Sequence, residues 1–135
     1  PYYLIDYVHA FEYTKADVIG KGSIFCHIES ENVLAIRSPH QENKFTNFVF
    51  GATLVFKKRV FSDVKFQRRN GGEDSQFLRD CVEKGFKIYS THKYNYTCIR
   101  RADKTNHTWK MDDIEFLRNC RIVAYTSDFI THTTV

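Results

Sequence analysis

The sequence predicts an α/β fold in which a mixed sheet is flanked by helices. Apolar residues recur at helical spacing near the start of the chain and again after position 72, and runs rich in β-branched and aromatic residues lie between and after them. With 135 residues, of which 42% are hydrophobic and 16% aromatic, the chain can build one core and is too short for two. We therefore expect a single domain over residues 1–135.

The first third of the chain predicts a helix followed by a hairpin. The helix is indicated by apolar residues that repeat with helical spacing, namely Tyr3, Leu4, Tyr7, Val8 and Phe11. A short β-rich segment follows at 17–20, and two longer ones at 23–28 and 33–37 are separated by a polar turn, which is typical of a hairpin. Aromatic and β-branched residues then dominate 45–56, interrupted by Gly51. A glycine there fits either a strand irregularity or the close approach of a ligand.

A second amphipathic helix is predicted to begin after Gly71-Gly72. Its apolar stripe consists of Phe77, Leu78, Cys81 and Val82, and Gly85 follows in the position where a glycine often ends a helix. Glu73 and Asp74 open this helix, where the positive end of the helix dipole favours acids, and Asp74 or Ser75 is expected to cap it. A capping role explains well why one acid lies at the helix start, but explains less well why two acids lie there. We expect the start of this helix to face a cavity.

The remaining elements are two strands, a third helix and a tail. Strands are predicted at 86–90 and 94–99. The helix is indicated by a stripe of Met111, Ile114, Leu117 and Cys120, with Asp112 and Asp113 in its first turn, where we interpret them as helix-start residues rather than catalysts. The threonine-rich tail from 126 to 135 is expected to be an edge strand or a poorly ordered end.

Charge and cysteine content narrow the classes of function. A net charge of +4, carried by short basic groups, is too small for a nucleic-acid-binding face. Arg100 and Arg101 are candidates for binding an anionic diphosphate, since arginine can present two parallel donors to phosphate oxygens, and ordinary solvated arginines are the alternative. The four cysteines show no C-x-x-C spacing and are expected to be buried free thiols, as in a reducing compartment. No apolar run is long enough for a membrane span.

One family resemblance rests on the segment 50–61 (FGATLVFKKRVF), on Glu73-Asp74 and on His107. In this arrangement the chain resembles family 2-like glycosyltransferases of GT-A fold, most closely over residues 48–109. The resemblance implies that Asp74 is the base that activates the acceptor hydroxyl and that Glu73 orients the acceptor or caps the helix. It also implies a metal, Mn²⁺ or Mg²⁺, held partly by His107.

Further site residues follow from the same resemblance. The donor and acceptor are expected to contact Gly51, Ala52, Gly72, Arg100, Arg101 and Trp109. Trp109 is a candidate for stacking on a sugar ring, and core packing is the alternative. The partners implied are a nucleotide-diphospho-sugar donor and a glycan acceptor, with a homo-oligomer left open. By analogy with bacterial cell-surface and spore-coat enzymes, we expect polysaccharide synthesis in a bacterial cytoplasm.

This sequence lacks one motif of the family. Such enzymes hold their metal through an Asp-x-Asp cluster at the end of a strand, and the only comparable doublet here, Asp112-Asp113, lies in a helical pattern. The resemblance therefore predicts a partial GT-A fold, the second, acceptor-side half of a catalytic domain that is inactive in isolation. A carboxylate base would favour transfer with inversion.

The sequence admits four other interpretations. A hydrolase or nuclease built on Glu73, Asp74 and His107 would need further metal-binding carboxylates at suitable spacing. A zinc module is disfavoured because His27 beside Cys26 is the only close pair of ligands. A cysteine nucleophile such as Cys81 has no local signature. The strongest alternative is a catalytically inactive GT-A-like module that binds carbohydrate or supports assembly.

Overall fold

The computed structural model describes residues 2–67, 71–103 and 112–135. In chain order the elements are α1 (Tyr3–Thr14), β1 (Val18–Gly20), β2 (Ile24–Ile28), β3 (Val33–Arg37), β4 (Lys44–Thr46), β5 (Val55–Phe56), α2 (Glu73–Glu83), β6 (Ile88–Ser90), β7 (Thr97–Arg100), α3 (Asp113–Leu117), β8 (Cys120–Tyr125) and α4 (Ile130–Thr133). The chain divides into two compact units, one of Pro1–Gly22 with Gln41–His92 and one of Ser23–His40 with Lys93–Val135. The fold is α/β, as predicted, with a mixed sheet in each unit.

The first unit is built on a sheet of order β4-β6-β1-β5. Strand β1 pairs in parallel with β6 and antiparallel with β5, and β4 pairs antiparallel with β6. The predicted apolar stripe of α2 places Phe77, Leu78 and Cys81 in a buried core with Val18 and Ile88. Packing of this amphipathic face fixes α2 on the sheet.

Glycines set both ends of α2. Gly72 occupies the N-cap position with a φ of +76°, and Gly85 follows the helix with a φ of +84°. Both values lie in the left-handed region that glycine adopts without steric penalty. The predicted side-chain cap is wrong, because neither Asp74 nor Ser75 is the N-cap residue and the helix start has no side-chain cap hydrogen bond.

The second unit is built on a sheet of order β7-β2-β3-β8. The predicted hairpin is confirmed: β2 and β3 pair antiparallel from Ile24 opposite Arg37 to Ile28 opposite Val33. Strand β7 adds in parallel to β2, and β8 adds antiparallel to β3.

Three predicted elements differ from the structure. Residues 45–56 form two short strands joined by a 3₁₀ turn, Gly51–Thr53, rather than one interrupted run. Helix α3 ends at Leu117 and Cys120 begins β8, so the apolar stripe from Ile114 to Cys120 crosses a helix–strand boundary. The tail contains a short helix, α4, and not an edge strand. None of the helices in the described ranges combines the length and apolar character that crossing a bilayer requires.

Candidate functional site

The start of α2 and the turn at Gly51 form one site in the first unit. A Cβ placed on Gly51 would lie under 3.0 Å from the Cβ, Cγ and Oδ2 atoms of Asp74. No side chain fits at position 51 while the Asp74 carboxylate keeps this position. The group that approaches Gly51 is therefore the protein's own carboxylate, and not a ligand, which was one of the two alternatives for this glycine.

Backbone hydrogen bonds of Lys21, the residue directly after β1, hold the Gly51 turn in place. The backbone N–H of Phe50 donates to the carbonyl of Lys21 at 2.9 Å, and the backbone N–H of Lys21 donates to Thr53 Oγ1 at 2.9 Å. The Thr53 hydroxyl in turn donates to the Phe50 carbonyl at 2.7 Å. Thr53 is fully buried, so these bonds are shielded from competing water.

A tyrosine on α1 adds a further bond to the same turn. The hydroxyl of Tyr7 donates to the carbonyl of Thr53 at 2.6 Å, and that tyrosine is almost fully buried. The Gly51 turn is thus tied to the residue that follows β1 and to a helix of its unit. A rigid support of this kind is what a site needs to hold a carboxylate in a fixed position.

The two carboxylates at the start of α2 have few compensating contacts. Burial raises the pKa of Asp74, and the negative charge of Glu73 raises that pKa further. Atom Oε2 of Glu73 is buried and has no hydrogen-bond partner among the described residues. Leaving a buried polar atom unpaired typically costs about 1–3 kcal/mol, and more for a charged group. Helix capping does not account for this arrangement.

The site reaches the surface at Gly72 and Ala52. Both Ala52 and Gly72 are exposed, whereas Glu73, Asp74 and Gly51 are half-buried. The structure therefore brings together five of the predicted site residues on one turn and one helix start. Such a site can accept a proton from a hydroxyl group that enters beside Asp74.

The predicted arginines belong to the second unit. Arg100 is only 1% exposed, its Nε donates to Asp113 Oδ1 at 2.7 Å, and its guanidinium lies 4.7 Å from the ring centre of Phe116. Arg101 is exposed. Arg100 is thus part of a buried ion pair, which its sequence context did not indicate. His107 and Trp109 lie outside the described residues.

Sequence reasoning missed Lys21, which is fully buried in the first unit. Its ammonium group donates to the carbonyl of His92 at 2.5 Å and lies 5.7 and 5.8 Å from the ring centres of Tyr3 and Tyr7. Burial lowers the pKa of Lys21 to about 8, although the carboxylates of Asp6 and Glu42 act in the opposite direction. The available signal was a lysine between two glycines directly after a strand, Gly20-Lys21-Gly22.

Neither metal-binding groups nor known relatives narrow the function of this site further. Within the ranges that the structure describes, no three histidine, cysteine, aspartate or glutamate side chains are grouped so that they could hold a metal ion. In comparisons with known proteins, the chain matches no family model, no curated protein and no solved structure.

Proposed function

We propose that this chain is the acceptor-side half of an inverting glycosyltransferase domain, with Asp74 as the general base. The observation that carries the proposal is the Gly51–Asp74 contact at an uncapped helix start, beside a Glu73 oxygen that has no partner among the described residues. Carboxylates that neither cap a helix nor pair with a cation are typical of sites that act on a ligand. The sequence resemblance supplies the reaction class.

In the proposed reaction, an acceptor hydroxyl donates a hydrogen bond to the carboxylate of Asp74. As the hydroxyl oxygen attacks the anomeric carbon of the donor sugar, Asp74 takes its proton and the nucleotide diphosphate leaves. Burial and the charge of Glu73 raise the pKa of Asp74 and so make it a stronger base than an ordinary aspartate. Gly51 leaves the space that the Asp74 carboxylate occupies, and the neighbouring Ala52 is exposed.

The rest of the proposal rests on the resemblance alone. His107 is the proposed ligand of Mn²⁺ or Mg²⁺, a group that would stabilise the charge of the leaving diphosphate. Because the described ranges hold no group of three metal-binding side chains, its other ligands would come from elsewhere. Arg101 is proposed to face the diphosphate and Trp109 a sugar ring, whereas Arg100, buried in its ion pair with Asp113, is left out of the proposal. The proposed setting is synthesis of a bacterial surface or spore-coat polysaccharide on the cytoplasmic side.

The test is sugar transfer by the full-length protein that contains this chain. Nucleotide-diphospho-sugars would be screened with Mn²⁺ and glycan acceptors, and release of the nucleotide diphosphate would be measured. Asp74→Asn should lower turnover about a hundred- to ten-thousand-fold, or roughly 3–5 kcal/mol of barrier, because the amide cannot take the proton.

Asp80→Asn is the matched control, since Asp80 lies on the same helix and accepts a hydrogen bond from Gln76 Nε2 at 2.7 Å. It should keep most of the wild-type turnover. Turnover above about a tenth of wild type in Asp74→Asn would remove Asp74 as the base. Glycan binding that needs no metal, without transfer from any donor, would favour the non-catalytic module instead.

A further inference from the structure

Three cysteines of the second unit lie on one face of its sheet. Cys98 is on β7, Cys26 is on the neighbouring β2, and Cys120 is on β8. Ile24 pairs with Arg37, and residues two apart on a strand point to the same face, so Cys26 shares a face with Arg37. Arg37 also pairs with Cys120, which places Cys120 on that face as well. The strand order thus brings three thiols to one face of the sheet, although their spacing in the sequence matches no motif.

Cys26 and Cys98 are direct neighbours across the parallel pair of strands. They are Cα partners in the register of β2 and β7, so both side chains leave the same face of the sheet. Neighbouring strands lie about 4.8 Å apart, which falls inside the range of roughly 4.4–6.8 Å that a disulfide requires between Cα atoms. Disulfide formation would therefore need no rearrangement of the strands.

The surroundings distinguish the two thiols. A hydrogen bond from Cys26 lowers the pKa of Cys98 to about 7, and the charges of Arg100 and Arg37 act in the same direction, against the effect of burial. The same hydrogen bond and burial raise the pKa of Cys26. Asp113, the partner of Arg100, is the carboxylate that offsets part of the positive charge there. Cys98 is half-buried on β7, which ends the sheet among the described strands, whereas Cys26 is fully buried.

Cys120 provides an internal comparison. Strand β3 lies between β2 and β8, and Cys120 pairs with Arg37 rather than with Ala35, the partner of Cys26, so the two cysteines are farther apart than two strand spacings of roughly 9–10 Å. This distance exceeds what a disulfide can bridge. Burial also raises the pKa of the Cys120 thiol, although Arg37 acts against the increase.

We propose that Cys26 and Cys98 form a thiol–disulfide exchange site for small disulfides of the glutathione type. The Cys98 thiolate attacks one sulfur of the small disulfide, forms a mixed disulfide and releases one small thiolate. Cys26 then loses its proton to solvent and attacks the Cys98 sulfur, which releases the second small thiol. The products are a Cys26–Cys98 disulfide and two small thiols, so the two cysteines are oxidised as the small disulfide is reduced. This site does not depend on the proposed transferase activity.

The test is peptide mapping of the folded chain after exposure to excess glutathione disulfide. Trypsin places the four cysteines in four separate peptides, residues 22–37, 80–84, 94–100 and 119–121. The expected product joins peptide 22–37 to peptide 94–100. In Cys26→Ser a glutathione adduct should persist on Cys98, and in Cys98→Ser Cys26 should remain reduced.

A second measurement on the wild-type chain keeps the test independent of variants that fail to fold. In a brief pulse of iodoacetamide at neutral pH, Cys98 should be alkylated about tenfold faster than Cys120 or Cys81, because roughly half of the Cys98 thiol is ionised near its pKa of about 7. Absence of the 22–37/94–100 product after equilibration would overturn the proposal. So would a product that forms only in denaturant, one that contains Cys120, or alkylation of Cys98 no faster than of Cys120.

Discussion

Two helices of this protein begin with adjacent acids, and the two pairs make different contacts. At α3, Asp112 caps the helix by accepting a hydrogen bond from the backbone N–H of Ile114 at 2.8 Å. Asp113 accepts hydrogen bonds from Arg100 and from the hydroxyl of Ser30. At α2, the N-cap is Gly72, and the side chains of Glu73 and Asp74 provide no cap.

The two acidic pairs differ in the partners of their carboxylates and not in their position at the start of a helix. Both pairs gain from the positive end of a helix dipole, which is worth about 0.3–1 kcal/mol for each acid. Among the residues that the structure describes, only the α3 pair has hydrogen-bond or ion-pair partners for its carboxylates. The α2 pair instead has a Glu73 oxygen with no partner among the described residues and an Asp74 with a raised pKa. An acidic pair is therefore interpreted as functional when its structural contacts do not account for it.

Removal of Asp113 should have the largest effect on stability. Asp113→Ala would take the carboxylate away from Arg100, whose side chain is only 1% exposed. Breaking a buried ion pair by removing one partner typically costs about 3–5 kcal/mol, and we expect about 3 kcal/mol in the free energy of unfolding measured in urea. The exposed Glu115 on the same helix is the control, and Glu115→Ala should change stability by less than about 0.5 kcal/mol. Equal effects of the two substitutions would show that the α3 pair is no more structural than a surface acid.

Gly51→Ala should have an intermediate effect that depends on Asp74. The added Cβ would lie under 3.0 Å from the Asp74 side chain, and overpacking of this kind costs about 1–3 kcal/mol. In the Asp74→Ala background the carboxylate is gone, so the same substitution should cost much less. A double-mutant cycle in urea measures this coupling, which we expect to be about 1 kcal/mol. Additive effects would mean that Gly51 is not required by Asp74.

The sequence was sufficient to predict α2, one of the two elements on which the site lies, but not the 3₁₀ turn at Gly51–Thr53. Period-3.6 stripes located α1 and α2, and the polar turn between two β-rich runs located the β2–β3 hairpin. At Gly51 the sequence left open a strand irregularity or the close approach of a ligand, and the group found there is the side chain of Asp74. That Asp74 is the group in question could not be predicted, because this contact joins residues distant in the chain and depends on how α2 packs on its sheet.

Long-range pairing also explains the other differences. The sequence left Arg100 as either a diphosphate-binding or a solvated arginine, and its ion pair with Asp113 could not be predicted because only tertiary structure brings the two residues together. The end of α3 was missed because apolar residues at Leu117 and Cys120 fit a helix until the pairing of β8 with β3 is known. Lys21 supports the Gly51 turn through its backbone N–H and carbonyl groups. Backbone hydrogen bonds of this kind cannot be predicted from a pattern of side chains.

Glu73→Gln should have the smallest effect and tests the α2 pair directly. The charge of Glu73 helps to raise the pKa of Asp74 above its ordinary value of 3.8, so the substitution should lower that pKa without changing the fold. Titration of the Asp74 carboxyl carbon by NMR would measure it. Glu83→Gln, at the far end of α2, is the control and should leave the pKa of Asp74 unchanged.

The same substitution should change how stability depends on pH. Because the pKa of Asp74 is higher in the folded chain than in the unfolded chain, the folded state binds this proton more tightly. The contribution of Asp74 is therefore most favourable at low pH and declines as pH rises from the unfolded pKa through the folded pKa. Glu73→Gln should reduce that decline, whereas a decline as steep as in the wild type, with an unchanged pKa of Asp74, would show that the two acids at the start of α2 do not interact.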